Sequence, residues 1–188
     1  MNTHHIIVLA GYSCAGKSTI ARTFCTLYHA TPIHQQELYR AIAEENGFDS
    51  ARKWLAEVGT DIFIESTLAH VIHTIATTHT YPFVVLDEAY NERGITQLAE
   101  SFGENSVTLV HVSASTQERG SRIKERLGTP SGASEELQFR DTFLKDAGLD
   151  AIIERAKIHI SNEGYVQDTA HALGFELQQL GFTLTPIE

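Results

Sequence analysis

The stretch Ile6-Ile7-Val8-Leu9-Ala10-Gly11-Tyr12-Ser13-Cys14-Ala15-Gly16-Lys17-Ser18-Thr19 decides the fold class. It opens with a continuous apolar run containing β-branched side chains, the pattern of a strand buried on both faces of a parallel sheet. The run ends directly at a glycine, and residues 11–18 fit G-x-x-x-x-G-K-[ST]. In that pattern backbone amides wrap phosphate groups, and glycine at each end permits the dihedrals and close approach that a side chain would block. Ile20, Phe24, Leu27 and Tyr28 then recur at helical spacing. Strand, glycine loop and helix therefore follow one another as a phosphate-binding unit requires. Gly11, Ser13, Cys14, Ala15, Gly16, Lys17, Ser18 and Thr19 are expected to hold ATP. Lys17 would reach the β and γ phosphates, Ser18 would ligate Mg2+, and Thr19 would open a helix whose dipole favours the anion. Cys14 is either a thiol made reactive by nearby amides and Lys17 or simply a small loop residue.

Outward from this unit, helices and strands alternate, which implies a parallel α/β sheet. Ala30 to Gln35 reads as a short strand, Glu37 to Asn46 as a helix closed by Gly47, and Asp49-Ser50 as a cap for a helix through Val58. Asp61 to Thr77 carries apolar residues at helical spacing, and Pro82 marks a break. Phe83-Val84-Val85-Leu86 and Val107 to Val112 read as core strands, and Thr116 to Leu127 as a helix. Gly128 to Ser134, with Pro130, is the candidate mobile loop before a helix from Glu135 to Lys145. A short helix over Asp150 to Ala156, a strand over Lys157 to Ser161 and a helix over Val166 to Leu180 complete the pattern. No repeat or linker divides the 188 residues, so one domain over 1–188 is expected.

The formal charge of -10, from 24 acidic against 14 basic residues, repels polynucleotide phosphates, and no basic patch overrides it. Nucleic acid is therefore not an expected partner. The two cysteines, Cys14 and Cys25, are expected to be free thiols, because a disulfide at Cys14 would restrict the phosphate loop. The first residues do not resemble a signal peptide and no run of about 18 apolar residues exists. A cytoplasmic location with no membrane partner is expected. His4 and His5 are too few for an expression tag and are taken as native.

Asp87 and Glu88 sit at the carboxyl end of a strand, where ligands bind in open α/β sheets. Asp87 is expected to be an outer-sphere partner of Mg2+; Glu88 either orients an acceptor or faces solvent. Asn91-Glu92-Arg93-Gly94 reads as a loop in which Arg93 either contacts phosphate or is a solvated surface residue. Arg119, Arg122 and Arg126 recur at spacings that place them along one side of a helix. Arginines so placed can neutralise a transferring phosphoryl group, and Arg140 is a weaker candidate by the same logic. The spacing of His70, His73 and His79 does not supply a zinc site.

Together these residues resemble a P-loop kinase of the nucleoside monophosphate kinase superfamily, nearest its dephospho-CoA kinase and deoxynucleoside monophosphate kinase branch. The motifs are Gly11 to Thr19, Val84 to Arg93, Arg119 to Arg126 and Ile158 to Gly164, the last similar to the strand and turn that border adenine in that branch. The resemblance implies a three-layer α/β core, a helical acceptor-binding insert over about 37–78 and an arginine-bearing lid over about 116–145. It also implies that Asn162 and Gly164 border the nucleotide, and that the insert, with Glu37, Arg40, Arg52, Tyr39 and Trp54, clamps the acceptor. Tyr39 and Trp54 could equally belong to the core.

One departure bears on chemistry. Dephospho-CoA kinases carry an aspartate just after the second strand, where this chain reads His34-Gln35-Gln36-Glu37. A phosphate acceptor needs no general base, whereas a hydroxyl benefits from one. The expectation is thus transfer of the γ-phosphoryl of ATP to a nucleoside or deoxynucleoside monophosphate, unless Glu37, His34 or Glu88 acts as base. The alternatives are transfer to a hydroxyl of a nucleoside, dephospho-CoA or another metabolite, and a nucleotide-regulated ATPase or switch. The acceptor is a small molecule and the chain a monomer or homodimer on this reading.

Overall fold

The computed structural model describes residues 4–78, 80–89, 91–129 and 131–187. His79 and Pro130, which entered the readings above, lie outside the described residues. Strand β1 (His5–Ala10) runs into the glycine loop, helix α1 (Lys17–Tyr28) and strand β2 (Ala30–Ile33). The helices α2 (Gln35–Glu45) and α3 (Ala51–Thr77) precede strand β3 (Phe83–Leu86). Helix α4 (Glu92–Phe102), strand β4 (Val107–Ser113), helices α5 (Thr116–Leu127), α6 (Ala133–Asp146) and α7 (Leu149–Glu154), strand β5 (Ile158–Ser161) and helix α8 (Val166–Gln179) follow.

The strands form one parallel sheet in the order β2-β3-β1-β4-β5. β1 is central, with Ile7 opposite both Val85 and Thr108. Its five apolar residues are fully buried because helices cover both faces of the sheet. On one face Ile7, Leu9, Val85, Val110 and Ile160 pack with Ile20 and Phe24 of α1 and Leu173 and Leu177 of α8. On the other, Ile6, Val8, Leu86 and Leu109 meet Val71 and Ile75 of α3, Ile95 and Leu98 of α4, and Leu149 and Ile152 of α7. The order puts the glycine loop at the middle of the sheet's carboxyl edge, with β3 and β4 on either side.

Two elements differ from the sequence reading. The residues read as a loop at Asn91 to Gly94 begin α4, so Arg93 lies on the exposed first turn of a helix. Asn91 caps that helix by accepting a hydrogen bond from the Gly94 amide at 2.8 Å. Ile95, Leu98, Ala99 and Phe102 supply its apolar stripe. The second strand stops at Ile33, because the Gln35 amide opens α2 and donates to Asp87 Oδ1 at 3.0 Å rather than continuing the ladder. The two helices expected on either side of Gly59 are present as the two segments of α3, which meet at a kink where Gly59 takes φ 80° and ψ 166°, outside the helical region.

Helices α2 and α3 enclose a satellite core of Tyr39, Ile42, Ala43, Trp54 and Phe63. Trp54 is 2% exposed and belongs to this core. Among the described residues, no helix is long and apolar enough to cross a membrane.

Candidate active site

The phosphate loop is shaped by two close approaches. A Cβ at Gly11 would overlap the Val112 carbonyl oxygen of β4, and one at Gly16, where φ is +97°, would overlap the Asn162 amide nitrogen. Only glycine fits either position without displacing backbone or a buried side chain. Lys17 is 7% exposed. Its Nζ donates to the carbonyl of Gly11 at 2.6 Å and of Tyr12 at 3.3 Å, and lies 3.9 Å from Glu88 Oε1. The ammonium is thereby held across the mouth of the loop. Ser18 and Thr19 occupy the first turn of α1, half-buried and exposed respectively. Tyr12 turns away and donates to Asp150 Oδ1 at 2.5 Å; that bond pushes its phenol up to about 12.

Asp87 follows β3 and is 2% exposed. Its Oδ2 pairs with His34 Nδ1 at 2.8 Å, and its Oδ1 accepts the Gln35 amide. His34 thus braces Asp87 from the departing end of β2. A carboxylate offers about four lone-pair sites, so these bonds leave capacity for a water-mediated contact. The oxygen donors Ser18 and Asp87 suit Mg2+, which keeps several waters and takes few protein ligands. The Ser18 hydroxyl and a water held by Asp87 would bind it beside the phosphates.

Arginines of α5 complete the far side. The Arg122 guanidinium donates to the carbonyls of Cys14 and Ala15, each at 3.2 Å, and to that of Asn162 at 2.7 Å. Arg126, Glu125 and Arg122 line a cavity of about 330 Å³ together with Cys14, Gly16, Thr19, Asn162, Gly164 and Val166. Of the residues expected at the nucleotide, Cys14, Gly16, Thr19, Asn162 and Gly164 line this cavity. Asn162 is 4% exposed, and its amide donates to the Ala15 carbonyl at 2.8 Å, so its side chain supports the loop. Arg119 stands apart: it donates to the Ser13 carbonyl at 3.1 Å, pairs with Asp141 at 2.7 Å and lines a separate cavity with Tyr12 and Asp141.

A larger cavity, about 470 Å³, opens between the loop, α2, α3 and α6. Ser13 and Glu88 stand at its phosphate end; Arg40, Arg52 and Arg140 supply cations, and Tyr39, Phe63 and Phe139 supply aromatic surface. The Arg52 guanidinium lies 5.2 Å from the centre of the Phe139 ring, spanning α3 and α6. Glu37 is outside this cavity, exposed and 3.4 Å from Arg22 of α1, while its neighbours Gln36 and Arg40 line it. Arg93 lines none of the cavities described here. Sequence reading missed Phe139, Asp141 and the bracing role of His34. Phe139 and Asp141 sit on a helix with no distinguishing motif, and only folding brings them to Arg52 and Arg119.

A family model described as AAA domain (AAA_33) matches residues 6–142, from β1 to most of α6. The chain belongs to this AAA_33 family. The AAA_33 chain is similar in structure to shikimate kinase from Bacteroides thetaiotaomicron, with 15% identity, a TM-score of 0.66, and 92% of this chain and 98% of that one covered. It is similar to a shikimate kinase from Acinetobacter baumannii solved with shikimate, with 16% identity, a TM-score of 0.63 and 97% of each chain covered. A gluconokinase from Sinorhizobium meliloti 1021 gives 16% identity and a TM-score of 0.60 over 95% of this chain and 94% of that one. The fold is thus the three-layer α/β fold of P-loop kinases. No curated sequence is close enough to this AAA_33 chain to count as a match.

Proposed function

We propose that this chain is an ATP-dependent kinase that transfers the γ-phosphoryl group to a hydroxyl of a small anionic metabolite. Glu88 carries the reading. The residue is 9% exposed and lines the larger cavity, and its carboxylate lies 3.9 Å from the Lys17 ammonium, where the acceptor would meet the transferring group. A carboxylate there serves a hydroxyl as general base and repels an acceptor that is itself a phosphate. This answers the absence of an aspartate after β2: the base comes from β3 instead.

Arg40, Arg52 and Arg140 would bind the acceptor's anionic group by charge-assisted hydrogen bonds, and Tyr39 and Phe139 would face its apolar surface. Residues 37–78 act as the acceptor-binding insert and 116–145 as the lid. Lys17 and the loop amides hold the β and γ phosphates; Arg122 and Arg126 neutralise charge as it spreads over the transferring group. Ser18 and, through a water, Asp87 would hold Mg2+, which would supply positive charge to offset that of the phosphates. Glu88 takes the hydroxyl proton as the acceptor oxygen bonds to the γ phosphorus, the bond to the β–γ bridging oxygen breaks, and ADP leaves.

A nucleoside monophosphate is the second reading, supported by the aromatic and arginine lining, which suits a base and a phosphate. ADP release from magnesium-ATP, measured against hydroxy acids, sugar acids, nucleosides, dephospho-CoA and nucleoside monophosphates, separates them. The hydroxyl reading expects stimulation by an anionic hydroxyl compound and none by monophosphates; the reverse pattern overturns it.

A further inference from the structure

We propose that Glu163 is a positioning residue that fixes the arginine helix α5 against the phosphate loop. Its catalytic consequence rests on the kinase reading above; its geometry does not. Glu163 lies in the turn between β5 and α8, and its carboxylate spans the start of α5. One oxygen accepts from the Ser115 amide, and the other accepts from the Ser115 hydroxyl at 3.1 Å. Ser115 is the N-cap of α5, and its Oγ accepts the Glu118 amide at 3.2 Å. A carboxylate at a helix start engages donors that have no intrahelical partner and favours the positive end of the helix dipole.

The preceding residue fixes the same turn to the loop. Asn162 donates to the Ala15 carbonyl at 2.8 Å, accepts from Thr169 Oγ1 at 3.3 Å, and its amide donates to the Ser113 carbonyl at 2.8 Å. Its own carbonyl accepts Arg122. Adjacent residues of one turn thus grip the loop and the helix, and the register between them sets where Arg122 and Arg126 stand. Cys14 reports on this seating, because its side chain packs against Ile123 of α5 and Ala133 and Leu137 of α6.

The test compares Glu163→Ala, Glu163→Gln and Glu163→Asp in the full chain. Cys14 modification by a disulfide reagent, mapped by peptide mass spectrometry, is read beside kcat and KM. Cys25 serves as an internal reference, since burial pushes its thiol up to about 12. Glutamine keeps one acceptor and can donate to Ser115 Oγ, so it preserves the bridge; alanine removes it and aspartate falls short by a methylene. Expected are several-fold faster Cys14 modification and a kcat lowered about tenfold to a hundredfold in Glu163→Ala, since small misplacements of catalytic groups cost that much. The acceptor KM stays unchanged, Glu163→Gln restores both readouts, and Glu163→Asp lies between. Wild-type Cys14 modification in both the alanine and aspartate variants overturns the proposal. Should alanine fail to fold, the aspartate and glutamine pair decides by the same readouts. Should no acceptor be turned over by the wild type, the kinase reading fails, while Cys14 modification still decides the positioning role.

Discussion

At the residue scale, the proposed kinase chemistry divides between Lys17 and Glu88. Lys17 is held over the loop by the Gly11 and Tyr12 carbonyls, so truncation removes a cation already in position. Lys17→Ala should lower kcat by about 10²–10³-fold, the range for loss of one preorganised electrostatic contact. Coupled measurement of ADP release checks this, and full turnover in the variant would remove Lys17 from the mechanism. Glu88→Gln tests the acceptor class. With a hydroxyl acceptor it should slow kcat by about 10²–10⁴-fold, the contribution of a general base. An unchanged kcat with a nucleoside monophosphate would instead support the second reading.

At the element scale, the kink in α3 depends on Gly59. Its φ of 80° and ψ of 166° fall in a region that side chains strain to enter, although nothing lies within 4 Å of a Cβ built there. Gly59→Ala should therefore cost about 1–3 kcal/mol from backbone strain alone. Thermal unfolding should show a Tm several degrees lower, and an equal Tm would mean that the kink relaxes freely. The same helix shows what could be read in advance. Capping by Ser50 and the apolar spacing beyond Asp61 were legible, because each is a local pattern. The interruption at Gly59 was legible for the same reason, since a glycine between two helical patterns reads as a break. Helix α4 had its apolar stripe in plain view, but the capping asparagine and following glycine looked like a turn. The phosphate loop was legible because its residues are contiguous. The partners Arg119 and Asp141, or Ser115 and Glu163, are 22 and 48 positions apart and become neighbours only after folding.

At the scale of the whole molecule, charge and topology act together. β4 and β5 set His111 opposite His159, with Nδ1 atoms 3.2 Å apart. Burial, then the neighbouring His159, holds the His111 imidazole below its ordinary value of 6.5. The unfolded chain thus takes up a proton near that value while the folded chain resists, so stability falls as pH drops through 6.5 and is recovered above it. Urea unfolding of His111→Gln should show a shallower loss between neutral and mildly acid pH than the wild type. Equal slopes would place the titration elsewhere.

The cavity proposed for the acceptor is lined chiefly by α2, α3 and α6, and none of its residues belongs to the strand ladder. Substitutions on its helical walls, away from Ser13 and Glu88, leave the strand hydrogen bonds and the phosphate loop untouched. On the kinase reading, the molecule separates in evolutionary terms what it would phosphorylate from how it would do so. A lineage could exchange one acceptor for another through a few helix-surface changes while the phosphate-handling half stays as it is.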